Sequence, residues 1–472
     1  MLFNSFEFAI FLPVVVLMFF ALPHKYRWLW LLVSSCVFYM AYIPWFILVI
    51  LTTIIVDFFA GIFISQSQGA TRKFGLIASL FVNVGILFFF KYFNFFYDNL
   101  IPVLSFVGIN LMKPDWKVLL PVGLSFHTFQ AMSYTIEVYR GNQQPERHFG
   151  IYALYVMFFP QMVAGPIERP QNMLHQFQEE KFFNEFNFIS GLRLILWGFF
   201  KKLVIADRAA VVSDEVFANP DQYGSIGIIW ASILFAFRIY CDFSGYTDIA
   251  LGAARMMGFE LMINFNRPYL SASVTEFWRR WHISLSTWFR DYVYIPLGGN
   301  KVRLSIVIRN LLITFIISGL WHGADWKFVV WGVLNGLYIA IEYLWKKFDF
   351  PDTAKFIPFQ IRRLKTFMLI AFSWIFFAAP DIAHALIAAG QLLSFENSQR
   401  DLVQIMLHKD SVMAMFFISI LLGFEVLIEK KILPRLFFQQ SVCVRWGLYL
   451  LAIWVTILFG QFSDRQFIYF VF

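Results

Sequence analysis

A long succession of apolar stretches constrains what this chain of 472 residues can fold into. They lie near residues 6–23, 28–43, 45–64, 74–90, 92–108, 118–138, 149–164, 188–206, 226–241, 305–321, 327–345, 366–379, 382–395, 411–428 and 446–460. About 20 apolar residues are needed to span a bilayer, and several of these stretches are shorter or are broken by Gly, Pro or charge. The pattern therefore predicts an all-α multi-pass membrane protein with roughly 11 transmembrane helices plus re-entrant or interfacial helices.

The composition supports the same class. Charged residues make up 14% of the chain and hydrophobic residues 59%, whereas soluble domains carry about 25% charged residues. No polar stretch is long enough to form a soluble domain, so we predict one integral membrane domain over residues 1–472.

Basic residues in the early loops indicate the orientation. Lys25 and Arg27 follow the first apolar stretch, and Arg72 and Lys73 follow the third. Because cytoplasmic loops are enriched in Lys and Arg, these positions place the amino terminus outside the cytoplasm.

Common nucleotide and metal motifs are missing from the sequence. It contains no Walker loop, no dinucleotide fingerprint and no HExxH pattern, so an ATP-driven pump and an intramembrane metalloprotease find no support. We expect no metal site, no bound cofactor and no nucleic-acid partner. We expect membrane lipid to surround the helices as a partner.

The stretch SGLWHGADW (318–326) places a histidine, His322, between two of the most apolar parts of the chain. An ionisable residue at membrane depth is costly, which makes it a candidate functional residue. Gly319 and Gly323 flank it. They either remove side-chain bulk so that a substrate can approach the ring or form a small-residue helix-packing motif.

The longest stretch between apolar segments is SASVTEFWRRWHISLSTWFRDYVYIPLGGN (271–300). Ser273 and Glu276 form a capping-box pattern, and the Pro and Gly residues near position 298 end the helix. Steps of 100° place six apolar side chains on one stripe, namely Trp278, Trp281, Leu285, Trp288, Phe289 and Tyr292. His282 lies at the edge of the stripe. We predict an amphipathic helix that lies in or dips into the membrane.

Positive charge is concentrated around this amphipathic helix. Residues 267–309 contain seven basic residues and two acidic ones. This balance fits an interfacial anchor, and it equally fits a cytoplasmic mouth for an anionic, phosphate-bearing molecule. Arg279, Arg290 and Trp278 are our candidate donor-binding residues. Asp242 and Asp248 either line a polar tunnel or pair with Arg238 and Arg255, and we favour the pairing.

Several motifs together resemble the bacterial membrane-bound O-acyltransferases of the alginate O-acetylation type. The matching segments are PVGLSFHTFQAMSYTIEVYRG (121–141), FFPQMVAGPIERP (158–170), CDFSGYTDIALGAARMMGFEL (241–261), NFNRPYLSASVTEFWRRWHISLSTWFRDYVYIPLGGN (264–300) and ISGLWHGADWKFVVWGVLNG (317–336). The resemblance implies a helical bundle around a central tunnel in the bacterial cytoplasmic (inner) membrane. It identifies His322 as the intramembrane catalytic histidine and gives His282 the family's second polar position, which is His or Asn.

Acyl transfer to a hydroxyl suits these residues, because an alcohol is a weak nucleophile at its own pKa and needs a base. A neutral imidazole such as that of His322 is the usual choice. His282 could orient the donor or stabilise the oxyanion. The resemblance implies an acetyl-CoA or acyl-carrier-protein thioester donor, a carrier-protein partner in the second case, and an extracytoplasmic polysaccharide acceptor.

Other functions stay open at this point. Within the family the alternatives are D-alanyl transfer of the teichoic-acid type and peptidoglycan O-acetylation. A transporter or flippase is the alternative from another class, because buried polar residues also form substrate paths. The sequence lacks the matching halves with broken helices that such a transporter would show.

The final residues FIYFVF (467–472) have two interpretations. They suit an aromatic interfacial anchor, and they also resemble the aromatic hexapeptide that ends many bacterial relatives. The resemblance implies that Tyr469 relays the acyl group to an extracytoplasmic transferase of the SGNH type. A phenol suits a relay, because an aryl ester is more reactive than an alkyl ester.

Overall fold

The computed structural model describes residues 1–109, 118–348, 357–394, 398–432, 437, 439–462 and 465–468. Within these ranges the regular elements are helices, and no strand is present. The α-helices are α1 (Phe6–Ala21), α2 (His24–Met40), α3 (Ile47–Gln66), α4 (Gly69–Leu87), α5 (Phe93–Phe106), α6 (Leu124–Arg140), α7 (Phe149–Met157), α8 (Pro170–Gln178), α9 (Glu185–Phe199), α10 (Asp207–Ala218), α11 (Ser225–Met256), α12 (Val274–Arg280), α13 (Ile283–Phe289), α14 (Leu304–His322), α15 (Trp326–Lys347), α16 (Phe359–Ala378), α17 (Ile382–Gln391), α18 (Ser398–Asp401), α19 (Lys409–Glu429) and α20 (Val442–Phe459).

Seven helical stretches of the described residues are long and apolar enough to cross a membrane. They are Pro44–Gln66, Gly69–Phe106, Ser225–Met256, Leu304–His322, Trp326–Lys347, Lys409–Glu429 and Val442–Phe459. The all-helical, multi-pass fold is thus confirmed. The figure of about 11 spans is not confirmed, because α1 and α17 are apolar but shorter than 18 residues.

The most exposed of these helices is α20. Only 6% of its apolar window is buried against other residues, although its sequence VCVRWGLYLLAIWVTILF is almost uniformly hydrophobic. A helix that is apolar on all sides is stable only in an apolar medium. The exposed faces of α20 therefore suit lipid.

The chain divides into two compact units, of which the first comprises Met1–Ile195 and Thr247–Met262. In this unit α3, α4 and α6 share a buried polar network. The Asp57 carboxylate accepts hydrogen bonds from Ser79 (2.6 Å) and from Asn83 (2.9 Å), and Ser79 also bonds Thr135. These bonds satisfy a carboxylate that apolar surroundings would otherwise destabilise. Whether the chain forms a single domain stays a prediction.

The second unit comprises Leu196–Tyr246 and Ile263–Phe472. Its centre is aromatic, and three of its largest side chains, Trp281, Trp331 and Trp374, are fully buried. Trp331 stacks on Trp374 with the ring centroids 5.8 Å apart. Trp374 in turn packs on Trp281 at 5.2 Å. This rigid core supports α12 to α16, which carry both candidate histidines.

Candidate active site

His322 is the last residue of α14, at a turn between two membrane helices. Gly323 follows in an extended conformation and ends the helix. Asp325 is the N-cap of α15, where its carboxylate accepts a hydrogen bond of 2.8 Å from the amide of Lys327. Asp is a preferred N-cap because it satisfies an amide that has no partner inside the helix. The sequence SGLWHGADW therefore forms the tip of a helical hairpin with the imidazole at its end.

Glycines hold the two helices of this hairpin in backbone contact. A Cβ on Gly319 would overlap the carbonyl oxygen of Phe328, and a Cβ on Gly332 would overlap that of Phe315. At Gly323 the Phe328 ring fills the space of a side chain. The helix-packing interpretation of these glycines therefore fits the structure. The space that we expected to admit a substrate is occupied by Phe328.

Three aromatic rings enclose the His322 imidazole, which is only 4% exposed. The ring centroids of Trp321, Trp331 and Phe377 lie 5.0, 5.1 and 5.2 Å from it. All three contacts are edge-to-face, an arrangement that aromatic rings prefer. The packing fixes the orientation of the imidazole, as a catalytic base requires.

The amphipathic segment is anchored as its capping box predicts. The Ser273 hydroxyl accepts a hydrogen bond from the amide of Glu276, and the Glu276 carboxylate accepts one from the amide of Ala272. The Glu342 carboxylate of α15 also accepts bonds from the amides of Val274 and Thr275. Two carboxylates thus stabilise the start of α12.

The predicted single amphipathic helix is wrong in one respect, because it breaks at His282. This residue has φ 42° and separates α12 from α13. Asn264 captures the free amides beyond the break, since its carbonyl accepts from Ile283 (3.0 Å) and its side chain accepts from Ser284 (3.2 Å). Because the chain turns here, His282 is fully buried and does not lie at the edge of the predicted apolar stripe.

His282 and His322 share one neighbour. The Trp321 ring lies 6.2 Å from the His282 ring and 5.0 Å from the His322 ring. Phe243 packs on His282 at 4.7 Å. Burial lowers the pKa of His282 to about 3, so its imidazole is neutral at physiological pH. The two predicted histidines belong to one aromatic site.

A first cavity of about 520 Å³ contains all three candidate donor-binding residues, Trp278, Arg279 and Arg290. Thr314 and Ser318 of α14 line it as well. Ser318 lies one helical turn before His322. Trp278 packs on Trp331 at 5.6 Å, and Trp331 contacts His322. Trp278 in the wall of the first cavity is thus linked to the His322 imidazole through Trp331.

A second cavity of about 420 Å³ begins at the residue after His322. Its wall includes Gly323, Lys327 and Asp325 of the hairpin turn, the charged pair Asp214 and Arg238, and Ala378 beside Phe377. Gln466 and Ile468 complete the wall. Along the chain, His322 thus lies between two cavities of different chemistry.

Asp242 is paired, but not with the residue that we expected. Lys202 lies 2.6 Å from Asp242 and 2.9 Å from Asp207, whereas Arg238 pairs with Asp214. The sequence analysis missed Lys202. The signal for it was the pair of lysines, 201 and 202, inside the apolar stretch 188–206.

Two further predicted residues lie elsewhere. Asp248 belongs to the first unit, where it is half-buried. Tyr469 lies outside the described residues, which end at Ile468.

Comparison with known proteins gives a consistent result. A family model described as MBOAT, membrane-bound O-acyltransferase family, matches residues 146–388. This range includes His282, His322 and the residues that line the first cavity.

Relatives extend the match over most of the chain. A probable alginate O-acetylase, AlgI, of Azotobacter vinelandii is 38% identical over 82% of this chain and 78% of its own length. A peptidoglycan O-acetyltransferase of Helicobacter pylori is 36% identical over 82% of this chain and 78% of its own length. A teichoic acid D-alanyltransferase of Streptococcus thermophilus is 30% identical over 48% of this chain and 57% of its own length.

Proposed function

The chain belongs to the membrane-bound O-acyltransferase family, and we propose that it moves an acetyl group from a cytoplasmic thioester to an extracytoplasmic polysaccharide. It is a multi-pass membrane O-acyltransferase. The observation that carries the proposal is the buried His322 imidazole at the tip of the hairpin, where Ser318, one turn before it, lines the cationic first cavity and Gly323, directly after it, lines the second.

Acetyl is the acyl group that the relatives favour. Both O-acetyltransferase relatives match 82% of the chain, whereas the D-alanyltransferase matches about half of it. The two acetyltransferases act on different polysaccharides, alginate and peptidoglycan. An alginate-like polysaccharide is our first candidate acceptor, and peptidoglycan is the second.

The first cavity suits the thioester donor. Coenzyme A and acyl carrier proteins both present an acyl group on a phosphopantetheine arm, which combines phosphate with a narrow, uncharged chain. Arg279 and Arg290 would bind the phosphate oxygens, and Trp278 would pack on the arm or on the adenine ring. A volume of about 520 Å³ lies within the range of ligand pockets.

His322 would act as the general base. The imidazole takes the proton of the attacking hydroxyl, whose oxygen bonds the acyl carbon. The carbon–sulfur bond then breaks, and the thiolate leaves with the proton from the imidazolium. A positioned base of this kind contributes about 10²- to 10⁴-fold to the rate.

His282 would assist at the carbonyl. Its neutral ring can donate a hydrogen bond to the oxygen that becomes negative in the tetrahedral intermediate, or it can orient the donor. Ile283, the next residue, lines the first cavity. This position supports a role on the donor side.

The acetyl group would be passed to its acceptor at the second cavity. Tyr469 is the proposed relay: its phenol accepts the acetyl group from the thioester and then passes it to an SGNH-type transferase outside. This scheme requires the cytoplasmic (inner) membrane, an amino terminus outside, and the basic segment 267–309 in the cytoplasm. The enrichment of Lys and Arg in that segment supports this orientation.

Reconstitution in liposomes tests the scheme. Labelled acetyl-CoA and an acetyl-loaded carrier protein are each supplied to the purified protein, and thiol release and acetylated terminal peptide are measured. We expect release with one donor, and release about 10²- to 10⁴-fold slower with the His322→Ala variant. Equal release by that variant would contradict the role of His322.

A further inference from the structure

One face of α14 carries a row of polar side chains in the second unit. Its four members are buried and follow one another at intervals of four residues, namely Asn310, Thr314, Ser318 and His322. Residues four apart on a helix lie on the same side, one turn above the other. The row therefore runs along α14 to the imidazole, and Thr314 and Ser318 lie in the wall of the first cavity.

Ser318 differs from other buried serines of this unit in its hydrogen bonding. A serine inside a helix often donates to a carbonyl of the preceding turn, as Ser232 and Ser373 do. Ser318 is only 7% exposed, yet its hydroxyl forms no hydrogen bond with any of the described residues. Its hydroxyl is therefore available to a molecule in the first cavity.

The other hydroxyls in this wall are largely engaged within the protein. Those of Thr275, Ser286 and Thr287 donate to oxygens of neighbouring residues. Thr314 donates a hydrogen bond of 2.7 Å to the carbonyl of Asn310, so that its oxygen can still accept a bond from a ligand. We call Thr314 and Ser318 the hydroxyl pair. The pair offers one group that can donate and one that can accept.

The spacing of the hydroxyl pair suits the arm of a thioester donor. An α-helix rises about 1.5 Å per residue, so the two residues are separated by about 6 Å along α14. A phosphopantetheine arm carries two amides whose nitrogens lie four bonds apart, or about 5 Å in an extended chain. The inner amide lies two carbons from the sulfur, and Ser318 lies one turn from His322. An arm extended along α14 therefore brings both amides to the pair when its thioester is beside the imidazole.

From these observations we infer that the hydroxyl pair binds the two amides of the phosphopantetheine arm. Ser318 donates to the carbonyl of the inner amide, and Thr314 accepts from the N–H of the outer amide. Both bonds hold the thioester in place beside His322. This assignment rests on the proposed function, in which the first cavity holds the thioester donor.

Donors that lack one or both amides test the inference. Acetyl phosphopantetheine carries both amides, S-acetyl-N-acetylcysteamine carries only the inner one, and S-ethyl thioacetate carries none. Thiol release from each donor is measured as kcat/KM with the full-length protein in liposomes, for wild type, Ser318→Ala and Thr314→Val. Ser305→Ala is the matched control, since Ser305 lies on the same helix but is exposed and outside the cavity wall.

We expect Ser318→Ala to lower kcat/KM about three- to tenfold for the two donors that contain the inner amide, because one hydrogen bond is lost. Thr314→Val should lower it by a similar factor only for the donor with both amides. The loss should be in KM, since the bonds form in the ground state and in the transition state alike. Release from S-ethyl thioacetate should stay unchanged in both variants, and Ser305→Ala should behave as wild type with all three donors.

The natural source of the arm is identified in the same assay. Acetyl-CoA and an acetyl-loaded carrier protein both present phosphopantetheine, and the one that wild type uses is the source. Ser318→Ala should weaken the use of that donor by the same factor as it does for acetyl phosphopantetheine.

Three results would overturn the inference. Unchanged kcat/KM for acetyl phosphopantetheine in both variants would show that the hydroxyl pair does not contact the arm. An equal loss with S-ethyl thioacetate, in variants that unfold at the wild-type temperature, would show that the hydroxyls do not act on the amides. Wild-type protein that releases thiol from none of the donors would refute the proposed function, and the inference with it.

Discussion

The two cavities next to His322 differ in charge and in how they are built. The first is lined by aromatic residues and by Arg279 and Arg290, and none of its described lining residues is acidic. The second mixes Asp214, Arg238 and other charges of both signs. The first is formed by neighbouring helices, whereas the second is completed by a segment from far along the chain.

In the proposed mechanism one imidazole serves two substrates, and the two cavities differ in charge accordingly. A cationic, apolar cavity favours a phosphate-bearing arm, whereas a cavity of balanced charge does not attract such an arm. Aromatic rings enclose His322, which lies in the chain between Ser318 of the first cavity wall and Gly323 of the second. This difference in charge predicts that substitutions in the first cavity change the binding of the thioester donor. Substitutions near the second cavity should instead change the transfer of the acetyl group to the glycan.

The largest effect is expected at His322 itself. His322→Ala should lower acyl transfer by about 10²- to 10⁴-fold, because the base is lost. Thiol release from the donor by purified protein in liposomes measures it. His384→Ala is the control, since His384 is half-exposed and pairs with Asp381. A rate within twofold of wild type would remove His322 from the mechanism.

The next effect concerns His282, beside the first cavity. His282→Ala should lower the rate about 10- to 100-fold through loss of a hydrogen-bond donor at the carbonyl. His282→Asn keeps a donor and should retain more activity. If the alanine variant is as active as wild type, His282 is only a packing residue.

His282 also predicts a pH dependence of stability. The unfolded imidazole binds a proton near pH 6.5, whereas the folded one does so only near pH 3. As the pH falls from about 6.5 toward 3, the unfolded state therefore takes up a proton that the folded state does not. Over this range the free energy of unfolding of wild type should fall by roughly 1.4 kcal/mol per pH unit relative to that of His282→Asn. Thermal unfolding of both proteins at pH 7.5 and 5.5 measures this difference. Parallel declines would contradict the buried neutral ring.

A smaller effect distinguishes the cavities directly. Arg279→Gln should raise the KM for the thioester donor about tenfold with little change in kcat, because it weakens binding of the phosphate. Arg303→Gln is the control, since Arg303 is exposed and lies outside the cavity wall. A changed kcat with an unchanged KM would place Arg279 outside the donor site.

The smallest effect tests the support of the first cavity. Glu342→Gln weakens the bonds to the amides of Val274 and Thr275 and should lower stability by about 1–3 kcal/mol. The donor KM should rise two- to threefold as α12 loosens. Thermal unfolding and donor titration measure both effects. A change confined to glycan delivery would break the assignment of α12 to the donor side.

Local signals in the sequence predicted much of this site. The apolar stretches and the capping box at Ser273 depend on neighbours in the chain; the stretches are largely helical, and the capping box forms. The break at His282 could not be predicted in this way, because it depends on Asn264, which lies 18 positions earlier. The partner of Asp242 was also missed, because Lys202 lies 40 positions away and only the fold brings the two together.

The glycine contacts of the hairpin have a consequence for motion. Because a Cβ at Gly319 or Gly332 would overlap a backbone carbonyl oxygen of the facing helix, α14 and α15 have little room to slide past each other there. We therefore expect His322 to move with the hairpin. In the proposed mechanism, local motion near the imidazole would then come from rotation of the surrounding rings, among them Trp331 and Phe377. Such rotations, rather than separation of the two helices, would set the timescale on which an acyl group passes the imidazole.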